Sequence, residues 1–383
     1  MIYYSLCGRS LQLYLISKKY GYSHAFYFIS KNFLFFLDLK YTLKAKLGIY
    51  SKKGDGKFMQ YVKLGNTGLD VSKLCLGCMS FGVPGRGIAP WSLNEEDSRV
   101  IIKKAINLGI NFFDTANVYS DGTSEEILGR AIKDFANRDE VVIASKVYFP
   151  MFEGQNSKGL SRKSILREVD KTLERLQMEY LDLYIIHRLD KETPIEEIME
   201  ALHDVVKSGK ARYIGASSMS AWEFSKCQYI AEKNGWTKFV SMQDLYNLIY
   251  REEEREMVPL CQDLKVGITP WSPLAKGRLT RDVETITNRS SNDAAGARFF
   301  PLELEADRIV IERVKEIAEK RNVSRAQIAL AWVLSKDYIT SPIIGSTKVN
   351  HLEDSVKALD IILTEEEITY LEEAYVPHDI IGY

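Results

Sequence analysis

Eight short apolar runs, at 74–77, 111–115, 141–146, 181–187, 213–217, 239–243, 267–272 and 341–345, recur along most of the chain. Between them lie amphipathic stretches, at 98–108, 125–135, 164–176, 195–207 and 221–233, whose apolar positions repeat with helical spacing. Runs this apolar have no face to offer water, so they read as parallel strands covered by helices on both sides. Eight β/α units permit a closed (β/α)8 barrel or an open doubly wound sheet. A dinucleotide-binding open sheet would place a G-x-G-x-x-G turn after its first strand. Gly82, Gly85 and Gly87 do not match that spacing, and no other stretch does. The expected fold is therefore α/β, a (β/α)8 TIM barrel. Ahead of it, Tyr61-Val62-Lys63-Leu64 and Leu69-Asp70-Val71-Ser72 flank Gly65-Asn66-Thr67-Gly68, the pattern of a hairpin.

Residues 1–58 are a different polymer. They carry ten Lys/Arg against only Asp38 and Asp55, a net charge of +8, and 14 of the chain's 42 aromatic residues. The remainder is net −9, so the overall value of −1 averages two unlike segments and says nothing about partners. The longest uncharged stretch here is the eleven residues 20–30, short of the roughly 20 that a spanning helix needs. Lysines interrupt every candidate secretory signal, and Arg9 stands alone among nine lysines where a mitochondrial presequence favours Arg. The segment reads as a poorly ordered extension or an over-extended gene start in preference to a targeting sequence. Residues 59–383 are expected to form the barrel.

With 45% hydrophobic and 27% charged residues, the chain is too apolar for a disordered protein, and five cysteines are too few for a disulfide scaffold. The cysteines fit reduced thiols in a cytoplasmic protein that engages neither nucleic acid nor membrane. Cys75-x-x-Cys78 has no second ligand pair and reads as strand packing, so no metal site is expected.

In a barrel, chemistry sits at the C-terminal ends of the strands. The second run ends in Asp114, the third in Lys146 and the fourth in His187, and Tyr119 lies five residues beyond Asp114. Each alone is a weak signal; successive strand ends would gather them at one mouth. A phenol titrates near 10, so it serves as an acid at neutral pH when a cation stabilises its phenolate. Lys146 supplies that cation, and a buried Lys needs a counter-ion such as Asp114. With His187 orienting a carbonyl, the set suits protonation of an oxygen as hydride reaches carbon. Gly345-Ser346-Thr347-Lys348 closes the eighth run before a helical stretch and could hold a phosphate. Ser217-Ser218 and Trp271-Ser272-Pro273-Leu274 offer hydroxyls and a flat ring at neighbouring strand ends. The run Glu252-Glu253-Glu254-Arg255-Glu256 reads as a solvated helix face.

From Met59 to the C-terminus the sequence resembles the aldo-keto reductases. The carrying motifs are Gly109-Ile110-Asn111-Phe112-Phe113-Asp114-Thr115-Ala116 with Tyr119, Glu125-Glu126-Ile127-Leu128-Gly129, Ala144-Ser145-Lys146, Leu181-Asp182-Leu183-Tyr184-Ile185-Ile186-His187, Gly215-Ala216-Ser217-Ser218 and Trp271-Ser272-Pro273-Leu274. Within the family, residues 241–256 and Tyr375-Val376-Pro377-His378 resemble bacterial YajO-type reductases and the fungal aryl-alcohol-dehydrogenase-like branch.

The resemblance implies an N-terminal β-hairpin over the bottom of the barrel and extended NADP(H) without a Rossmann domain. It makes Tyr119 the proton donor, has Lys146 and Asp114 tune its pKa, and has His187 orient the substrate. Gln243 would contact the nicotinamide carboxamide near Ser217 and Ser218, and Trp271 would pack on the ring. Ser272, Leu274, Gly277 and Arg278 would follow the pyrophosphate. Gly345, Thr347, Lys348 and Asp354 would hold the adenosine end, with Lys348 on the 2′-phosphate and NADPH favoured over NADH. Where relatives often carry Gln and Asn around the adenine, His351 and Ser355 stand here.

The function expected is NADPH-dependent reduction of small-molecule aldehydes or ketones to alcohols. The same resemblance leaves open a cofactor-binding regulatory subunit like the potassium-channel β-subunits, or sugar-phosphate conversion to 1-deoxyxylulose 5-phosphate. Substrate choice is expected in loops 148–160 and 280–300, and oligomeric state is not legible.

Overall fold

The computed structural model describes residues 13–14, 26–30, 33–37, 59–87, 89–282, 285 and 305–381. The chain divides into two units, Met1–Tyr61 and Val62–Tyr383. In the first, β1 (Leu13–Tyr14), β2 (Phe26–Ser30) and β3 (Phe33–Leu37) form an antiparallel sheet. The expected hairpin is present as β4 (Tyr61–Lys63) and β5 (Asp70–Ser72).

The barrel strands follow as β6 (Cys75–Gly77), β7 (Phe112–Asp114), β8 (Val142–Val147), β9 (Leu181–Ile186), β10 (Ala211–Ser217), β11 (Phe239–Gln243), β12 (Gly267–Ile268) and β13 (Ile343–Gly345). They form one parallel sheet in the order β12-β11-β10-β9-β8-β7-β6-β13. Its edges meet, because the Thr340 N–H donates to the Ile268 carbonyl at 2.9 Å and the Ile343 N–H to the Pro270 carbonyl at 2.8 Å. The (β/α)8 barrel expected from the alternating runs is what forms. All six residues of β8 and of β9 are buried, as strands covered on both faces must be.

The lower end of the barrel is filled by side chains. Leu64 and Val71, from the two arms of the hairpin, are fully buried in one cluster with Cys75, Phe112, Val142, Ala144, Leu183, Ile185 and Ile343. Nine such apolar groups removed from water contribute roughly 1.5–3 kcal/mol for each large side chain, before entropy is counted.

Some helices begin where a side chain accepts from the first turn. In α1 (Glu95–Asn107), Asn94 accepts from the Asp97 N–H at 2.9 Å. In α2 (Thr123–Phe135), Gly122 takes that place with φ 91°, a left-handed backbone that suits glycine. A side chain there would also lie 2.6 Å from the Arg175 side chain. Then come α3 (Arg162–Leu176), α4 (Ile195–Lys207), α5 (Ala221–Asn234) and α6 (Met257–Leu264). The last are α7 (Glu305–Arg321), α8 (Arg325–Ser335), α9 (Val349–Lys357) and α10 (Glu365–Glu372). No helix among the described residues is long and apolar enough to cross a membrane.

The acidic run at 252–256 departs from expectation. Glu252 and Glu253 are buried and do not form a solvated face. Glu252 accepts from the Tyr375 hydroxyl at 2.5 Å, the His378 N–H at 2.9 Å and Arg255 Nε at 2.6 Å. Glu254 accepts from the Tyr246 hydroxyl at 2.5 Å and pairs with Arg251 at 2.7 Å. Glu252 thus fastens the C-terminal segment, which carries its own pairing between His378 and Asp307 at 3.0 Å.

Candidate active site

Asp114 ends β7, Lys146 lies near the end of β8, and His187 directly follows β9. Parallel pairing of these neighbouring strands sets the three residues side by side at one end of the barrel. Tyr119 reaches them from a short helical turn in which Ser120, Asp121 and Gly122 all have positive φ. Three left-handed residues in succession reverse the chain sharply. The turn is packed against Gly82, where a Cβ would lie 2.2 Å from the Ser120 side chain.

Lys146 Nζ is the hub. It donates to Asp114 Oδ1 at 2.5 Å, to the Thr115 carbonyl at 2.9 Å and to the Tyr119 hydroxyl at 3.2 Å. The other Asp114 oxygen accepts from Gln243 Nε2 at 2.9 Å. One strand position earlier, the Ser145 hydroxyl donates to buried Glu125 at 2.5 Å, and Glu125 also takes Arg175 Nε at 2.5 Å. That second contact network fixes β8 against α2 and α3.

Burial works against the Lys146 ammonium, but Asp114 and Tyr119 outweigh it and its pKa is raised. Burial, together with Asp114, raises the Tyr119 phenol above its ordinary value, while Lys146 pulls the other way. The cation therefore moderates the phenol without making it acidic outright. His187 is held well below the usual imidazole range by burial, with Lys146 and Arg188 adding to it, so the ring is neutral. Its edge faces Tyr119 at 5.8 Å and Phe149 at 4.9 Å between ring centres, and its Nδ1 is buried without a hydrogen-bond partner.

The next strand ends join this set. The Ser217 hydroxyl donates to the Gln243 carbonyl at 2.8 Å, and Trp271 Nε1 donates to the Ser218 hydroxyl at 3.2 Å. Ser272, Leu274, Gly277 and Arg278 continue from Trp271 in the segment after β12, with φ positive at Ser272 and Gly277. Gly345 ends β13, and Thr347 and Lys348 follow it on the same rim. Lys348 is exposed at the start of α9, where no side chain caps the first-turn N–H groups, and the space around Gly345 is open. Free amides at a helix start beside a cation fit a phosphate. Asp354, by contrast, is engaged by the Ser324 hydroxyl and by Gln327 Nε2 at 2.6 Å, and Ser355 bonds the His351 carbonyl at 2.9 Å within its own helix.

Residues 73–376 match the Aldo/keto reductase family. The chain belongs to that family. Aldo/keto reductases are oxidoreductases that act on carbonyl groups with nicotinamide cofactors. The chain is 48% identical over 345 residues to the versiconal hemiacetal acetate reductase of Aspergillus parasiticus, covering 84% of this chain and 98% of that one. It is 46% identical to a Schizosaccharomyces pombe protein that bears an aryl-alcohol dehydrogenase name, over 84% and 97%. It is 42% identical to the aldo-keto reductase dtxS3 of Metarhizium robertsii, over 85% and 93%.

Three residues at this aldo/keto reductase site were not singled out from sequence. Arg188 and Asp244 each lie one position beyond a strand end that was read, and Phe149 lies in the loop expected to choose substrate. Burial pushes the Asp244 carboxyl up to about 7, against the opposing pull of the Ser218 N–H and Arg188. Cys75 and Cys78 are buried with raised thiol pKa values, as strand packing requires, and no metal-binding cluster occurs among the described residues. Of the second expected substrate loop, residues 283–284 and 286–300 lie outside the described residues.

Proposed function

We propose that the protein reduces aldehydes or ketones to alcohols with NADPH, Tyr119 donating the proton. The carrying observation is Lys146 Nζ, bonded at once to the Asp114 carboxylate and the Tyr119 hydroxyl. A substrate carbonyl placed between Tyr119 and His187 would accept a hydrogen bond from the neutral imidazole and the proton from the phenol. The phenolate left behind is stabilised by Lys146, and Asp114 keeps that lysine charged. A bound nicotinamide dinucleotide supplies the hydride that reduces the carbonyl carbon. Gln243, Ser217 and Ser218 would hold its carboxamide and Trp271 its ring. Ser272, Leu274, Gly277 and Arg278 would line the pyrophosphate, and Lys348 with Gly345 and Thr347 the 2′-phosphate end. Similarity to a versiconal hemiacetal acetate reductase supports the reductive direction.

The test is consumption of NADPH and of NADH over a panel of aromatic aldehydes, aliphatic aldehydes and sugar phosphates, repeated with Tyr119→Phe. Loss of the proton donor should lower kcat by roughly 10²–10⁴-fold while NADPH still binds. Undiminished turnover in that variant would remove Tyr119 from the reaction.

A further inference from the structure

Arg188 directly follows His187 and is half-buried at the same end of the barrel. Its Nη1 donates to the His187 carbonyl at 2.5 Å, and the guanidinium carbon lies 6.0 Å from the centre of the Phe149 ring. Phe149 is also the ring that meets the His187 imidazole edge-on. The guanidinium also acts electrostatically on Tyr119 and His187, so its charge lies close to the groups proposed to meet the carbonyl.

Its guanidinium is held in no ion pair among the described residues, although Asp244 acts on it electrostatically. Other partly buried arginines face carboxylates: Arg138 meets Asp182, Arg175 meets Glu125, and Arg251 meets Glu254. No carboxylate among the described residues forms an ion pair with Arg188. At the same end of the barrel the Lys146 charge is taken up by Asp114. Burial lowers the Arg188 pKa, with Tyr119, Asp244 and Tyr148 the opposing influences, and Asp244 is itself only partly ionised at neutral pH. One of five guanidinium N–H groups is used on a carbonyl, and the planar fork that remains suits an oxyanion.

We propose that Arg188 anchors an oxyanion on the substrate, so that the carbonyl compounds reduced here carry a carboxylate or a phosphate. This rests on the reductase reading above. It adds the substrate class and the residue that selects it.

The experiment compares 4-formylbenzoate, 4-formylphenyl phosphate and neutral methyl 4-formylbenzoate on the full chain with NADPH. Wild type should prefer at least one anion over the ester by roughly 10- to 100-fold in kcat/KM, expressed chiefly in KM. Arg188→Met should abolish that ratio and Arg188→Lys should keep part of it; which anion carries the preference identifies the group. An anion-to-ester ratio near one in wild type overturns the proposal, as does a ratio that Arg188→Met leaves intact. Calorimetric binding of 4-(hydroxymethyl)benzoate and 4-(hydroxymethyl)phenyl phosphate separates the two readings. Weaker binding to Arg188→Met upholds the anchor even without turnover, and equal binding to both proteins overturns it. Absence of turnover on every aldehyde counts against the reductase reading alone.

Discussion

Lys146 and Asp114 face each other from adjacent parallel strands, Nζ and Oδ1 2.5 Å apart, with side chains essentially shut off from solvent. A lysine in that position would lose its charge without the carboxylate, because burial alone disfavours the ammonium. Asp114→Asn should therefore cost catalysis and stability together. We expect kcat for aldehyde reduction to fall at least about 10²-fold and unfolding free energy in urea to drop by roughly 3–5 kcal/mol. A variant that keeps both would show that the pair is dispensable.

The two other groups proposed to meet the carbonyl oxygen, Tyr119 and His187, would set the pH response. The proposed reduction would need Tyr119 protonated, and its raised pKa carries that form beyond its ordinary value near 10. His187, lowered well below its ordinary value, is neutral from about pH 6.5 upward. The kcat/KM for reduction should be level from about pH 6.5 to about pH 9 and fall only in more alkaline solution. A midpoint near neutrality in the pH profile would contradict this.

Asp244 governs stability in the opposite sense from an ion-paired carboxylate. Its folded pKa, about 7, lies above the unfolded value, so the native state holds the proton more tightly. That contribution is complete below the unfolded pKa near 4 and is lost as pH rises through 7. Asp244→Asn cannot ionise and should escape the loss. Between pH 5 and pH 8, wild type should give up roughly 1–3 kcal/mol more than the variant in parallel urea titrations. Parallel pH curves for the two proteins would show that Asp244 is ionised throughout.

Every residue proposed for chemistry or cofactor binding falls within Val62–Tyr383. We therefore expect removal of residues 1–58 to leave kcat and NADPH affinity unchanged. Steady-state kinetics and cofactor titration of the shortened chain check this, and a large fall in either would bring the segment into the enzyme.

Strands such as β8 and β9 were legible because burial on both faces leaves an uninterrupted apolar run. The run read at 267–272 shortens to Gly267–Ile268 because Pro270 has no N–H for a ladder, although its carbonyl still takes Ile343. Asp114, Lys146 and His187 could be picked out because parallel strands turn sequence order into spatial order. Glu252 could not be read correctly, since its partners Tyr375 and His378 come from more than a hundred positions away. Arg188 escaped notice for the converse reason. What distinguishes it is a guanidinium at the site with no carboxylate in ion-pair contact among the described residues, which only folded geometry reveals.

Leu64 and Val71 fill the lower end of the barrel, so cofactor and substrate of the proposed reaction would both have to approach by the strand-end mouth, a single door. Two guests using one door must queue: whichever lies deeper has to arrive first and depart last. If the nicotinamide lies beneath the carbonyl, as the placement of Gln243 behind Asp114 favours, turnover becomes an ordered sequence. The dinucleotide would then be charged and discharged around each visit of the substrate.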